Sequence, residues 1–400
     1  MELEEAVSRL KNALTAIEET ELCPVSETAG RIAARDVFAP VNVPPFAKSA
    51  MDGYAVRSED VSGATEGEPV KLRVVGELFA GDWKQFSAVQ MPSAIRVMTG
   101  SSVPEGFDAV VMQEDTDYSE KTVQIYKAVS AGQNYCAVGE DIKKGTLVLK
   151  TGTKISRAHI GLLSSLGICE VEVCRKIRVA VISTGSELVE AGMPLSPGKI
   201  YSSIAPMLCS AVQSSGQAVI KNLIVKDDEN EIGSLIKKSV SEADIIITTG
   251  GVSVGKKDLL PAVLDSLGVE NLFTRVNIQP GSPTRAGMLN GKLILCLSGN
   301  PYAALANFDI YFYEAISVLT GCTNLSPQKK QTVLSSPYEK INKLRRFVRA
   351  YYEDGKVTLP AQNHASSVIS NLTECNCYID IPAGTPCKTG DNVSIWIIKD

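Results

Sequence analysis

Only two histidines, His159 and His364, occur in 400 residues, so a histidine-rich transition-metal centre is excluded by ligand supply alone. Ten cysteines are present, but the closest pairs, Cys375/Cys377 and Cys169/Cys174, lack the CxxC spacing of a zinc or redox site, and reduced structural thiols are expected. Any bound metal should therefore be a hard ion on carboxylates and phosphates. Long basic runs are also missing: 40 Lys plus Arg face 45 Asp plus Glu, a formal charge of −5, and nothing in that balance asks for nucleic acid. No apolar run approaches membrane-spanning length, and the acidic, amphipathic start MELEEAVSRLKNAL is unlike a signal peptide. A cytoplasmic protein with no membrane partner is the expectation.

A chain of this length exceeds what one hydrophobic core usually supports, so two to four compact units are expected. Leu3, Val7, Leu10, Leu14 and Ile17 recur at helical spacing and predict an amphipathic helix that packs on something. Over 46–144 the apolar segments are short and β-prone (KLRVVGELFAG, AIRVM, DAVVM, TVQIY) and predict a β-rich insert. Residues 145–175 read as a strand, a helix with Ser156 at its N-cap and Gly167 past its end, and a second strand; with 1–45 they are assigned to a small α/β linker domain. From 176 to 324 buried-type strands (KIRVAVIST, AVIKNLIV, ADIIITTGG, KLILCLSGN) alternate with helical stretches, the pattern of a doubly wound, mainly parallel α/β domain. Residues 325–400 return to short strands and turns and read as a C-terminal, β-barrel-like domain.

Three α/β strands run directly into polar or glycine-rich turns: Ile182-Ser-Thr-Gly-Ser-Glu-Leu188, Thr248-Thr-Gly-Gly-Val-Ser-Val-Gly255 and Leu297-Ser-Gly-Asn-Pro301. Ligands of such sheets bind outside the carboxyl ends of the strands. Gly250 and Gly251 would let main-chain N–H groups approach an anion, and the following helix would present its positive end. Pro301 suits the first turn of a helix. A phosphate or pyrophosphate is the expected guest, the alternative being turns that need glycine for their own geometry. Carboxylates accompany the turns: Glu187, Asp227, Asp228 and Asp258. Beside a phosphate such groups hold Mg²⁺ or its waters, although Asp227 or Asp228 could equally cap a helix and Asp258 could serve a helix dipole. No Ser–His or Cys–His pairing is apparent. The segment Pro44-Pro-Phe-Ala-Lys-Ser-Ala-Met-Asp-Gly-Tyr-Ala-Val56 is too proline-rich for a helix, and too polar at Ser49, Asp52 and Gly53 for a buried strand, so by itself it reads as a turn.

At these residues the chain resembles the molybdopterin molybdotransferases (MoeA and the E domain of gephyrin). PPF..SAMDGYAV, MTG..VPEG.DAVVM.E, VGEDI, STG.EL, GGVSVG..D, PG.P and GNP follow one another in family order over essentially the whole length. The resemblance implies an enzyme that inserts molybdate into adenylyl-molybdopterin with release of AMP and Mg²⁺ assistance. It implies a homodimer of four-part protomers with the cleft between the α/β domain of one chain and the β-rich insert of the other, and contact with a molybdopterin adenylyltransferase is a further expectation. It carries catalytic importance onto Asp52, Asp141, Glu187, Asp228 and Asp258, with Asp258 and Glu187 as metal ligands. It carries ligand binding onto Thr99, Ser183, Thr184, Gly250, Gly251, Ser253, Gly255, Ser282, Gly299, Asn300, Pro301 and Arg346.

The chain departs from the family pattern where KPGKP is common: it reads Gln279-Pro-Gly-Ser-Pro283, so two cations thought to meet molybdate are missing. Arg275, Arg285 or Lys256 and Lys257 could replace them, or Ser282 could donate hydrogen bonds. Ala47-Lys48 stands for Asp-Asn, Ser298 for a proline before GNP, and Ser202-Ser203-Ile204 for an Asp-Ser/Thr-Asn pattern. Arg345, Arg346 and Arg349 resemble a family arginine segment that could serve the oxyanion, solvent-facing strand residues being the alternative, and the serine pair Ser366 and Ser367 is a weaker resemblance. Two other functions compete with the insertase: a non-catalytic pterin-binding or scaffold protein, and an enzyme like the molybdopterin adenylyltransferases.

Overall fold

The computed structural model describes residues 1–86, 89–252, 259–360 and 365–398. Six α-helices are described: α1 (Leu3–Ala13), α2 (Arg157–Ser165), α3 (Ile204–Ser214), α4 (Glu229–Glu242), α5 (Leu260–Ser266) and α6 (Pro301–Thr320). None is long and apolar enough to cross a membrane.

The central sheet runs in the order Ala218–Val225, Arg178–Thr184, Ile245–Thr249, Lys292–Leu297, Arg285–Leu289 and Glu270–Phe273. The first four strands are mutually parallel, and the last two, which the alternating pattern does not reveal, add antiparallel. Unbroken apolar runs such as Ile245-Ile-Ile are what a strand covered on both faces requires. One face packs on α1, α3 and α6 and the other on α4 and α5. The N-terminal helix is grouped with 145–175 in the sequence reading, yet Leu3, Ala6, Leu10 and Leu14 bury themselves in the α/β core. The stripe goes where the largest apolar face is on offer, which is the flank of α6 and the Glu270–Phe273 strand.

The linker unit comprises Thr20–Pro24 paired with Glu170–Cys174, Val37–Phe38 paired with Leu147–Leu149, and α2, around Cys23, Val25, Leu149, Leu163 and Val171. His159 is used locally, its Nδ1 accepting from the Ser156 amide at 3.1 Å at the start of α2. The insert is a five-stranded sheet in the order Ala109–Met112, Gly53–Val56, Ser93–Val97, Val70–Leu78 and Thr122–Ile125. Here the turn reading of 44–56 fails at its end, because Gly53–Val56 is a fully buried inner strand. Gly53 makes this possible: a Cβ there would stand 1.9 Å from the Val111 carbonyl oxygen.

In the C-terminal region Arg345–Glu353, Lys356–Thr358, Gln328–Leu334, Asn392–Ile397 and Cys377–Ile381 pair in turn, and the last closes on the first to make a five-stranded barrel. Gln328–Leu334 escapes the sequence reading because five of its seven residues are exposed, so alternation is weak. Ile278–Gln279, from the α/β region, adds in parallel beside Arg345 and Arg346 and ties the two units together.

At the amino ends of the parallel strands sits Asp244, 4% exposed. It accepts from Arg175 Nη1 and Nη2 at 2.6 and 3.0 Å, from the Arg178 amide at 2.8 Å and from Lys292 Nζ at 3.1 Å. Three neighbouring strands and the end of the linker thus meet on one carboxylate. Burial alone would raise its pKa, but the bonds from Arg175, the Arg178 amide and Lys292 outweigh it and hold the carboxyl far below the usual range. A depressed carboxyl contributes stability that is present above its unfolded pKa and lost as pH falls towards the folded one. Asp244→Asn should therefore lower stability by roughly 3 kcal/mol at neutral pH. The gap from the native chain should narrow below about pH 4, as read from thermal unfolding at a series of pH values.

Candidate functional site

Parallel pairing sends adjacent strands out of the sheet at the same edge. Ser183 lies beside Thr249, and Thr249 beside Leu297, so the three turns singled out in the sequence start side by side. They enclose a cavity of about 610 Å³. Ser183, Thr184, Gly185 and Glu187 line it from the first turn, Thr249 to Val252 from the second, and Ser298 to Pro301 from the third.

Each turn is fixed to its neighbours. Ser183 Oγ and Thr249 Oγ1 are 3.0 Å apart, and Thr184 Oγ1 donates to the Thr249 carbonyl at 3.3 Å. The Gly250 amide donates to the Leu297 carbonyl at 3.2 Å, and the Asn300 amide to Ser298 Oγ at 3.2 Å. Gly250 has φ +89°, and a Cβ there would meet the Thr184 carbonyl oxygen at 2.5 Å. Asn300 stands at the N-cap of α6 and Pro301 opens it, so the positive end of a 20-residue helix faces the cavity. Small hydroxyls and a helix dipole make a cradle suited to a phosphate.

Further lining comes from residues outside the three turns. After Glu187 the chain makes an excursion that returns through Ile200–Tyr201, pairing in parallel with Leu188–Val189. It brings Tyr201, Ser202 and Ser203 to the rim. Lys199 Nζ donates to the Ser186 carbonyl, and Asp227 closes the base of the excursion by accepting from the Ser186 amide at 3.0 Å. Asp227 lines the cavity; Asp228 does not, because its carboxylate accepts from the Glu231 amide at 2.9 Å and caps α4. The helix-cap alternative is thus the one realised at Asp228. Pro283 and Ser367 complete the wall. Ser367 sits in a turn beside the C-terminal barrel and belongs to the serine pair that resembles the family segment only weakly.

Ser282 lies next to Pro283 but is not among the lining residues. Its hydroxyl donates to the Val276 carbonyl at 2.8 Å and accepts from Arg275 Nε at 3.3 Å. Arg346, on the barrel, donates to Gln279 Oε1 at 3.4 Å and also stays outside the lining. At both departures from the KPGKP pattern an arginine from elsewhere in the chain is hydrogen-bonded to the substituted residue. Arg285 is spoken for: it binds Asn271, Asp265 and the Pro261 carbonyl. Ser253, Gly255, Lys256, Lys257 and Asp258 lie outside the described residues.

Asp52, Thr99 and Asp141 occupy a second place. Asp52 Oδ1 accepts from the Thr99 amide and hydroxyl, both at 2.7 Å. The Thr99 hydroxyl and then its amide hold the Asp52 carboxyl below its ordinary pKa. The Asp141 amide donates to the Val43 carbonyl at 3.0 Å, and the Gly139 amide to that of Pro44 at 3.0 Å, so Asp141 flanks the loop that leads to Asp52. None of the three lines the cavity of its own chain. Among the described residues no group of three or more His, Cys, Asp or Glu is gathered as a metal site.

Comparison with known proteins extends over the same units. Residues 1–167 match the MoeA N-terminal region (domains I and II), residues 180–317 a model described as a probable molybdopterin binding domain, and residues 331–398 the MoeA C-terminal region (domain IV). A protein of Staphylococcus epidermidis called molybdopterin molybdenumtransferase is 35% identical over 401 aligned positions, covering 99% of this chain and 95% of the relative. One of the same description from Bacillus subtilis is 34% identical and covers 96% and 90%. Among solved structures, a molybdopterin biosynthesis MoeA protein from Pyrococcus horikoshii superposes with a TM-score of 0.85 at 31% identity, covering 100% of this chain and 99% of the other. With its N-terminal, central and C-terminal regions all matched, and full-length relatives above 30% identity, the chain belongs to the MoeA family.

Proposed function

We propose that this chain is a molybdopterin molybdotransferase, a transferase of molybdenum-cofactor biosynthesis that inserts molybdate into adenylyl-molybdopterin and releases AMP. The observation that carries this reading is the convergence of three strand-end turns on one cavity whose walls include hydroxyls, the start of α6 and two carboxylates beside apolar residues such as Leu188, Ile200 and Ile204. A pterin phosphate would be held by the Gly250–Gly251 turn and the amino end of α6, with hydroxyls from Ser183, Thr184 and Ser298. Binding of that end fixes the reacting groups relative to one another, which lowers the entropic part of the barrier.

Glu187 and Asp227 are the carboxylates of the described lining, which has no cationic side chain. Two carboxylates beside hydroxyl and carbonyl oxygens suit a hard divalent ion that keeps water and substrate phosphate as its other ligands, and Mg²⁺ fits that donor set. When bound, the ion supplies charge neutralisation at the phosphoanhydride as AMP departs. Glu187 and Asp227 are taken as its holders because both line the cavity; Asp258, the metal ligand implied by the resemblance, is kept as a further candidate, while Asp228 is withdrawn because it caps α4 outside the lining.

Asp52, Thr99 and Asp141 are read as acting in trans. We take the working form to be a homodimer in which the insert of one copy closes the cavity of the other; these residues would otherwise have no reacting partner within their own chain. Contact with a molybdopterin adenylyltransferase would then deliver the adenylated pterin, and the cytoplasm is the compartment assigned.

Purified chain supplied with adenylyl-molybdopterin, molybdate and Mg²⁺ should release AMP in a molybdate-dependent way and yield assembled cofactor. Pterin binding without molybdate-dependent AMP release rejects the insertase in favour of a scaffold, and ATP-dependent adenylation of free pterin favours the adenylyltransferase-like reading. Glu187→Gln should cut turnover by at least about tenfold and raise the Mg²⁺ concentration needed for half-maximal rate. The dimer reading is checked by mixing: Asp52→Ala and Glu187→Gln chains, each feeble alone, should regain activity when refolded together, and no recovery would mean that each cavity is complete within one chain.

A further inference from the structure

Helix α6 begins at the cavity, where Asn300 and Pro301 are lining residues, and its next residue, Tyr302, is 1% exposed. A helix start does not by itself call for a buried phenol. The Tyr302 hydroxyl donates to the Phe347 carbonyl at 2.7 Å and accepts from the Arg349 amide at 2.8 Å. Both of its hydrogen-bonding roles are thus used on the main chain of the barrel strand Arg345–Glu353. The Arg349 guanidinium, itself fully buried, lies 4.3 Å from the centre of the Tyr302 ring. It donates to the Val368 carbonyl at 2.7 Å and to that of Ala365 at 3.2 Å. The Tyr302 amide donates to the Ser366 carbonyl at 3.1 Å. Tyr302 and Arg349 therefore hold the carbonyls of Ala365, Ser366 and Val368, and the residue they bracket, Ser367, lines the cavity. Burial raises the phenol far above its ordinary pKa, so the hydroxyl keeps its proton throughout the working pH range.

We infer that Tyr302 is a positioning residue: with Arg349 as intermediary it sets Ser367, and with it the barrel's contribution, against the Ser298–Pro301 turn so that the cavity can enclose a tetrahedral oxyanion. The anion is either the substrate's phosphate or a free metal oxyanion. This rests on the reading of the cavity as the pterin-phosphate site. It gives the first turn of α6 a part in shaping the site through a side chain that is not among the lining residues.

The test uses the full chain and three variants: Tyr302→Phe, which keeps the ring under Arg349 and removes only the hydroxyl, Ser367→Ala, and the two combined. KM for adenylyl-molybdopterin and KM for molybdate are measured separately, with kcat, the thermal midpoint and amide exchange of the Arg345–Glu353 strand. Tyr302→Phe should raise one of the two KM values about five- to tenfold, the loss expected from one misplaced hydrogen bond, with kcat within about twofold. Ser367→Ala should raise the same KM by a similar factor, and the double variant should be no worse than either single, because both act through one contact. A rise for the pterin nucleotide assigns the site to the substrate phosphate, and a rise for molybdate assigns it to the free oxyanion. Unchanged KM values, losses that multiply in the double variant, or a fall in kcat that follows the thermal midpoint would overturn the role. Absence of turnover in the wild-type chain counts against the insertase reading alone; amide exchange then decides this one, since unaltered protection of the Arg349 amide in Tyr302→Phe overturns it.

Discussion

The site depends on the parallel register of three neighbouring strands, Arg178–Thr184, Ile245–Thr249 and Lys292–Leu297. Parallel strands leave a sheet at a common edge, so residues far apart in sequence become adjacent without any long-range side-chain recognition. Ser183, Thr249 and Leu297 stand in a row, and the polar turns that follow them have nowhere to go but around a shared space. The register is pinned at the other end by Asp244, whose carboxylate joins Arg175, the Arg178 amide and Lys292. A buried charge that satisfied all but one of its partners would be destabilising, so this anchor favours one alignment over slipped ones.

The cavity wall is made mostly of backbone and short side chains. A Cβ on Gly250 would stand 2.5 Å from the Thr184 carbonyl oxygen, so the first two turns pack closer than a side chain there would permit. The dipole of α6 adds a fixed positive end. The carboxylates Glu187 and Asp227 sit in the same wall. Under the proposed function a divalent cation would reconcile the helix end with the two acidic groups, and charge stabilisation would be the chemistry such a wall supplies.

Helix α6 carries this arrangement into the rest of the molecule. Its first turn faces the cavity, its flank buries α1, and Asp309 accepts a hydrogen bond from Tyr378 of the barrel at 2.6 Å. Tyr302 and Arg349 add main-chain links to the Ala365–Val368 segment. The α/β unit, the end of the linker and the barrel are therefore joined along one helix, and the barrel's contacts reach the cavity rim.

Much of this was legible from residues alone. Apolar runs of about five to seven residues ending in Ser-Thr-Gly, Thr-Thr-Gly-Gly and Ser-Gly-Asn-Pro specify buried strands and tight turns, because local sterics and hydrophobic period act over a few residues. The family motifs marked Asp52 and Thr99, which do pair, and Glu187, which does reach the cavity. What the chain could not disclose is which of two adjacent carboxylates reaches the cavity. Asp227 and Asp228 have the same chemistry, and only the position of the first turn of α4 decides that Asp228 is its cap. The strand Gly53–Val56 was hidden by its polar neighbours and the strand Gln328–Leu334 by its exposed lysines and glutamines. The approach of Ser367 and the latch at Tyr302 depend on contacts across some 65 residues of chain. Sequence determined the local elements, because their causes lie within a turn or two of backbone; tertiary structure alone decided which side chains met, because that depends on where separately stable pieces dock.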